Sequence, residues 1–300
     1  MRRVPYVNVI RAAEALFLGT RDDLDTPDSQ VLNTHFDRWA RSLWEAFWWP
    51  EWMVAERRQF RPSWDSATTY GAPTATAAVE RFHVRSGKYY QSLRSGNLNQ
   101  EPADANGVEN SAYWAECAAG YSGNDWTTGT VFTVTNGSPM IVRNPADDRF
   151  YQCHTAHTAG ATFDSTKFGI LTPFRRSLDY EQTDETEIGE VKAIWDNDPY
   201  LVLGTASRLE FLLADKIYVA GSEARPWVEF RDRPPSWTGS DWSAATTYAL
   251  DGQAYDPTTG DYYRSLQAGN LNHAVTDTAW WEVIPVPYVL QDAIAQGILS

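Results

Sequence analysis

The string YYQSLRSGNLN at Tyr89–Asn99 recurs as YYRSLQAGNLN at Tyr262–Asn272, with eight of the eleven positions identical. In each copy a second shared string comes first, WDSATTY from Trp64 and WSAATTY from Trp242. Self-similarity of this kind indicates a small structural unit that the chain builds more than once. Because the surrounding residues are rich in Thr, Val, Tyr, Trp, Gly and Asn, the unit is predicted to consist of short strands and turns.

A tryptophan closes each copy, Trp114 in the first and Trp281 in the second. A third, degraded copy runs from Trp126 to about Phe174, with Phe168 in the place of the closing tryptophan. We therefore predict three small antiparallel β modules, which we call module 1 (residues 63–119), module 2 (residues 126–174) and module 3 (residues 242–285).

The repeated string also predicts its own local structure. Side chains alternate between the two faces of a strand, so one tyrosine ring of each pair is expected in the module core and the other at the surface. Glycine and asparagine accept the backbone angles of tight turns, so the Gly–Asn step is expected to form the turn.

The first 62 residues show apolar side chains at helical spacing instead. One helix is predicted from Asn8 to Leu18, and a second begins with Thr26 as its cap and Pro27 in its first turn. The second helix carries one continuous apolar stripe, formed by Leu32, Phe36, Trp39, Leu43 and Phe47. Trp48 helps to widen this stripe beyond what one helical partner covers.

Two interpretations of the stripe stay open. It can be a local core that packs against the strands that follow. The alternative is a subunit interface, because a large apolar surface on a two-helix unit indicates a binding surface. The residues of that interface would be Phe36, Trp39, Leu43, Phe47 and Trp48.

Two further segments complete the predicted fold. Residues 178–238 are predicted to be a β segment, and residues 286–300 a short C-terminal helix. Together with the helical residues 1–62, these segments would form a base into which the three modules are inserted. The predicted fold class is therefore α+β and mainly β.

The charge distribution limits the classes of partner. The net charge is −14, and residues 1–62 carry equal numbers of basic and acidic side chains, so the acidic excess lies in residues 63–300. Such a surface repels phosphate, which argues against a nucleic-acid-binding protein but suits a protein past which DNA slides. Since no apolar run approaches the roughly 20 residues of a membrane span, we expect a soluble protein without a membrane partner.

Candidate catalytic and metal-ligating residues are few. Cys153, His154 and His157 lie together in CHTAHT, but alternation along a strand would point the two histidines to opposite faces, with too few ligands for zinc. The acidic run 179–190 lacks the spacing and the glycine of a calcium loop and is predicted to be a solvated linker. We expect no metal and no cofactor.

The remaining candidates are equally unspecific. Asp196 and Asp198 could do acid–base work, but among 39 acidic residues two neighbouring carboxylates indicate little, so no catalytic residue and no enzyme activity are expected. Cys117 and Cys153 leave two alternatives open, a pair of free thiols or one disulfide.

The modules resemble the carbohydrate-binding modules of families 5 and 12, which are short chitin-binding β domains. The residues that carry this resemblance are Trp64, Tyr70, Tyr89, Tyr90, Asn99 and Trp114 in module 1, and Trp242, Tyr248, Tyr262, Tyr263, Asn272 and Trp281 in module 3. The resemblance implies weak glycan contact, for which the candidate residues are Tyr70, Trp114, Tyr248 and Trp281. The alternative is that these aromatic side chains form the module cores.

The sequence departs from that family at one place. The chitin-binding modules commonly carry exposed aromatic residues shortly after the central tyrosine strand. This chain has Leu93–Arg94 and Leu266–Gln267 there. A bound sugar would therefore lack the aromatic face that covers the CH groups of a pyranose ring.

The rest of the chain resembles the head–tail adaptor and neck proteins of tailed bacteriophages. The motifs are the N-terminal helical pair, WVEFRDRPPSWTG from Trp227, and PVPYVLQDAIAQG from Pro285. The resemblance implies a structural protein of the virion, assembled in the host cytoplasm, with outward-facing modules. Its partners would be copies of itself in a ring, the portal and the tail, with DNA passing through unbound. A glycan-binding module protein is the alternative.

Overall fold

The computed structural model describes residues 3–18, 26–46, 48, 52–181, 187–201, 205–232, 236–284, 286–287, 291 and 293–294. Two α-helices, α1 at Tyr6–Leu18 and α2 at Thr26–Ala46, accompany many short strands in small sheets. The prediction of a mainly β chain is confirmed.

The strands are numbered β1 to β25 in chain order. Those up to residue 120 are β1 Arg3–Val4, β2 Met53–Arg57, β3 Thr69–Tyr70, β4 Glu80–His83, β5 Lys88–Ser92, β6 Asn97–Leu98 and β7 Trp114–Glu116. Those up to residue 180 are β8 Asn124–Asp125, β9 Val131–Phe132, β10 Ile141–Asn144, β11 Arg149–Cys153, β12 His157–Thr158, β13 Phe168–Ile170 and β14 Ser177–Leu178. The remaining strands are β15 Glu190–Trp195, β16 Arg208–Leu209, β17 Phe211–Leu213, β18 Ile217–Val219, β19 Trp227–Arg231, β20 Thr247–Tyr248, β21 Gln253–Asp256, β22 Asp261–Ser265, β23 Asn270–Leu271, β24 Trp281–Val283 and β25 Val286–Pro287.

The chain forms two compact units. Unit 1 comprises Met1–Val54, Ile188–Glu190 and Phe230–Ser300, and unit 2 comprises Ala55–Glu187 and Val191–Glu229. Module 3 therefore belongs with the helices, whereas modules 1 and 2 belong with most of the β segment 178–238. The predicted base is thus divided between the two units.

Aromatic side chains from the helices and from module 3 share the core of unit 1. The ring of Tyr6 in α1 meets that of Phe36 in α2 edge to face, with 4.6 Å between the centroids. Trp237, just before module 3, meets Phe36 in the same way at 4.7 Å. An amphipathic helix is stabilised mainly by what its apolar face packs against, and here that partner includes the module.

The start of the predicted C-terminal helix is a strand. Val286 and Pro287 form β25, which pairs antiparallel with β1. A residue before proline is restricted to extended backbone angles, which favours a strand at Val286 over a helix. Gln291, Ala293 and Ile294 are helical, and the rest of residues 286–300 lies outside the described residues.

Modules 1 and 3 have the same strand arrangement. In module 1, β4-β5-β7 form a three-stranded sheet and β3 pairs with β6; in module 3, β21-β22-β24 and the pair β20-β23 correspond to them. Module 2 has the same arrangement, with β10-β11-β13 as its three-stranded sheet and β9-β12 as its pair. Strand β8 extends that sheet by pairing parallel with β10.

Two further sheets lie wholly or largely in unit 2. One has the order β14-β18-β17 and the other the order β16-β15-β19-β2. Only Glu210 separates β16 from β17, so the chain passes from one sheet into the other within a single residue.

The prediction of one core ring and one surface ring in each tyrosine pair is wrong for module 1. Tyr90 lies in the module core, and Tyr89, on the opposite face of β5, is also buried, between Phe60 and Phe174. In module 3 the corresponding Tyr262 is buried against α1. Alternation along a strand gives two faces, but it does not show what covers the second one.

The turn in the repeated string also differs from the prediction. Gly96 has a φ of 68° and takes the left-handed conformation, but Asn97 belongs to β6 and is fully buried. The second left-handed residue is Asn99, with a φ of 53°. Module 3 repeats this geometry at Gly269 and Asn272.

Candidate functional site

Hydrogen bonds explain why the repeated string has serine at its fourth position and asparagine at its ninth. In module 1 the Asn97 amide donates to Ser92 Oγ at 3.1 Å and, at 3.4 Å, to the carbonyl of the residue before the closing tryptophan. In module 3 the Asn270 amide donates to Ser265 Oγ at 2.9 Å and to the equivalent carbonyl at 3.3 Å. All four side chains are fully buried, so these residues fix the turn and offer nothing to a ligand.

The four aromatic residues expected to contact a glycan lie in the module cores. Tyr70 meets Trp114 edge to face at 5.2 Å between ring centroids, and Tyr248 meets Trp281 at 4.9 Å. All four are buried. Stacking on a sugar requires an exposed ring face, so the core alternative describes their placement better than the binding prediction does.

The Leu–Arg and Leu–Gln steps have different surroundings in the two modules. Leu93 is 1% exposed and lies against module 2 so closely that a Cβ on Gly169 would come within 2.7 Å of it. Leu266 is 39% exposed. Beside it, Glu282 stands where module 1 has the buried Ala115. The same face is therefore an intrachain contact in module 1 and a polar surface in module 3.

The half-buried carboxylate of Glu109 joins modules 1 and 2. Glu109 accepts hydrogen bonds from Ser111 Oγ at 3.1 Å, from Gln152 Nε2 at 3.1 Å and from the Glu116 N–H at 3.2 Å. Burial raises the pKa of Glu109, and these hydrogen bonds lower it in part. The carboxylate is satisfied within the chain, so it serves as a joint between modules.

A cleft of about 590 Å³ lies beside module 3 in unit 1. Its lining combines apolar groups with hydroxyl and carboxylate groups, among them Pro5, Asp261, Tyr263, Thr276, Thr278 and Trp281. The volume falls within the range of small-molecule sites, and such sites pair an apolar lining with a few polar groups. Of the four predicted glycan residues, Trp281 is the one that lines it.

Asp261 connects this cleft to α1. Its carboxylate accepts a hydrogen bond from the Val7 N–H, 3.4 Å away in the first turn of the helix. Burial raises the pKa of Asp261, and the backbone hydrogen bonds lower it in part. Module 1 has Lys88 at this position, paired with Glu116 at 2.7 Å. The sequence marks Asp261 only by the change from lysine to aspartate before the tyrosine pair, which does not by itself predict a cleft.

The residues predicted as a subunit interface are in part core residues. Phe36 is buried, and the half-buried Leu43 packs against the same core. Trp39 is half-buried. Trp48 is also half-buried, with the Arg231 guanidinium 4.7 Å above its ring. Phe47 lies outside the described residues, so Trp39 and Leu43 are the members that keep some accessible surface on α2.

A turn brings Cys153 and His157 together. The prediction of a continuous strand through CHTAHT is wrong, because β11 ends at Cys153 and Thr155 stands in the turn that follows. Cys153 Sγ lies 4.0 Å from His157 Nδ1, whereas His154 Nδ1 contacts Thr155 Oγ1 at 2.9 Å. Within the described ranges, no three His, Cys, Asp or Glu side chains are placed to hold a metal ion.

The other candidate groups act locally. Cys117 and Cys153 are free thiols, and burial raises the pKa of both, which disfavours the nucleophilic thiolate. Asp196 accepts the Ser207 N–H at 2.7 Å, and Asp198 accepts a backbone N–H two residues ahead at 2.9 Å. Each carboxylate thus stabilises its own loop. Of the acidic run, residues 182–186 lie outside the described residues.

Neither helix, where the structure describes it, is long and apolar enough to cross a bilayer. No protein family model, curated protein or solved structure matches the chain. The geometry of the modules and of the cleft therefore has to carry the functional argument.

Proposed function

We propose that the chain is a structural protein of a tailed-bacteriophage virion, an adaptor that joins the portal to the tail around the DNA channel. One observation carries the proposal: the repeated string is used for packing. Three of its four tyrosine rings are buried, and its serine and asparagine bond to one another. A repeated unit whose characteristic residues mostly serve its own fold is typical of a scaffold.

The charge supports the same function. DNA passing through a channel must not bind to its wall, and a wall of net negative charge prevents such binding. The chain has a net charge of −14, and the resemblance of its ends to adaptor proteins agrees with this use.

As an adaptor, the chain assembles with copies of itself in the bacterial cytoplasm and contacts portal and tail proteins in the virion. The accessible parts of Trp39 and Leu43 on α2 are the proposed contact surface. Large apolar side chains with exposed area commonly mark such surfaces.

Electron microscopy and light scattering of the purified chain, alone and mixed with portal rings, test this function. We expect the wild-type chain to bind the rings and Trp39→Asp to bind them weakly. Arg38→Asp, at the exposed neighbouring position, serves as the control. A chain that stays strictly monomeric in the presence of portal rings contradicts the proposal.

A second candidate function, glycan binding, rests on the cleft beside module 3. Tyr263 and Trp281 line it together with hydroxyl and carboxylate groups, which are the groups that recognise sugars. Many weak sites on one virion could act together through avidity. Sedimentation with insoluble chitin tests it, with Tyr263→Ala as the variant and the exposed Tyr200→Ala as the control. Folded wild-type protein that remains in the supernatant rules out chitin binding.

A further inference from the structure

Strand β17 in unit 2 is an open sheet edge. In the sheet β14-β18-β17, the described residues give β17 a single neighbour, β18. The register sets Phe211 opposite Val219, Leu212 opposite Tyr218 and Leu213 opposite Ile217. The other side of β17 is therefore available to a further strand.

The hydrogen-bond alternation fixes which groups face that open side. The Ala220 N–H donates to the Glu210 carbonyl at 2.9 Å and the Ala214 N–H to the Lys216 carbonyl at 3.0 Å. In an antiparallel pair every second residue bonds to the partner. Leu212 thus bonds inward to β18, and the N–H and C=O groups of Phe211 and Leu213 point outward.

This edge carries no charged side chain and no proline. Natural edge strands are blunted by such residues, by bulges or by being very short; β17 is short, but its three residues are Phe-Leu-Leu. Leu212 is 65% exposed and Leu213 is 47% exposed. The second strand of this hairpin, β18, anchors it in unit 2, because Ile217 and Val219 are buried.

We propose that two copies of this chain pair through their β17 edges, antiparallel and about a two-fold axis at Leu212. The outward groups select this register: Phe211 of each copy exchanges both backbone hydrogen bonds with Leu213 of the other. The two three-stranded sheets then become one sheet of six strands. No other antiparallel register of β17 with itself places all four outward residues, Phe211 and Leu213 of each copy, in hydrogen-bonded pairs.

The side chains agree with that register. The two Leu212 side chains, the most exposed of the strand, become directly opposed and cover each other. Just beyond the strand, Glu210 of one copy comes opposite Ala214 of the other, so no like charges are opposed there.

This inference rests on the edge and not on the proposed function. Neighbours in a ring that all face the same way are not related by a two-fold axis. The pairing therefore applies to free chains or to two rings that lie face to face. The result of the portal-binding experiment does not decide it.

Disulfide trapping tests the register directly. Opposed residues in a non-hydrogen-bonded pair have the Cα separation that a disulfide needs. We expect Leu212→Cys to give a covalent dimer on air oxidation. Leu271→Cys, at a leucine that is 47% exposed on β23, should give none, and the chain's own Cys117 and Cys153 are a background common to both.

Sedimentation equilibrium tests the interface without cysteine. Leu212→Lys places two positive charges face to face and should weaken dimerisation by at least about tenfold, whereas Leu271→Lys should leave it unchanged. Near-UV circular dichroism confirms that each variant is folded. A wild-type chain that stays monomeric up to millimolar concentration overturns the proposal. So does a dimer that persists in folded Leu212→Lys, or a Leu212→Cys dimer no more abundant than that of Leu271→Cys.

Discussion

The ring of Tyr262 in module 3 meets the ring of Tyr6 in α1 edge to face, with 4.9 Å between centroids and 85° between the ring planes. Both rings are buried. Aromatic pairs favour this edge-to-face geometry, which stabilises them by more than the burial of the rings alone. Because Tyr262 is the first tyrosine of the repeated string, the module contributes a signature residue to the core of the helices.

Truncation of Tyr262 should therefore destabilise unit 1 as a whole. We expect Tyr262→Ala to lower the free energy of unfolding by about 3 kcal/mol, as for other buried aromatic rings. The adjacent half-buried Tyr263 is the control, and Tyr263→Ala should cost much less. Urea unfolding followed by tryptophan fluorescence measures both. Equal losses for the two variants would mean that the helices do not depend on the module.

The sequence alone predicts the parts of this fold that are local. Alternation, turn residues and repetition were sufficient to find the strands of modules 1 and 3. They could not show that module 3 shares a core with α1, because the partner of the second face of β22 is more than 250 residues away along the chain. The prediction fails at Tyr89 for a related reason, because its partners Phe60 and Phe174 lie outside module 1.

The candidate site shows the same limit. Trp281 was found from its place at the end of the repeat, but the cleft that it lines depends on Pro5 and Thr276, which no pattern connects. At Leu93–Arg94 the sequence lacks the exposed aromatic residues of a sugar platform. In the structure, Leu93 contacts Gly169 of module 2. This contact depends on how the two modules pack together, so the sequence of one module alone does not show it.

Leu93 and Leu266 offer a matched pair of substitutions at equivalent positions. Leu93→Ala removes a fully buried side chain between modules and should cost about 2–5 kcal/mol in the free energy of unfolding. Leu266→Ala removes a side chain that is 39% exposed and should cost much less, about 0.5 kcal/mol. Thermal or urea unfolding of the two variants compares them directly. Similar costs at both positions would show that module 3 has a partner on this face in solution.

The buried amide of Asn97 should be sensitive to truncation. Asn97→Ala removes the donor for Ser92 Oγ and one of the two donors to the Tyr113 carbonyl, which keeps the Leu93 N–H. A buried acceptor left unpaired costs about 1–3 kcal/mol. The exposed neighbour Leu98 provides the control, with a change of at most about 0.5 kcal/mol for Leu98→Ala. Asn270→Ala should reproduce the loss in module 3. A glycan-binding role for this asparagine would predict the opposite: unchanged stability and altered binding.

Glu109 should give the chain an unusual pH dependence. Burial raises its pKa above the ordinary value of 4.5, so in the window above 4.5 the folded chain binds more protons at this site than the unfolded chain. The contribution of Glu109 to stability is then fully present below 4.5 and is lost as the pH rises through the folded pKa. Paired surface carboxylates behave in the opposite way.

Glu109→Gln isolates this effect, because glutamine does not titrate. The substitution costs a constant amount, since the new amide cannot accept the Glu116 N–H as the carboxylate does. On top of that cost, the variant should gain stability relative to the wild-type chain as the pH is raised from acidic to neutral. Urea unfolding at a series of pH values measures the difference, with Glu210→Gln, at an exposed position, as a second reference. A difference that shrinks with rising pH would mean that hydrogen bonds, and not burial, dominate at Glu109.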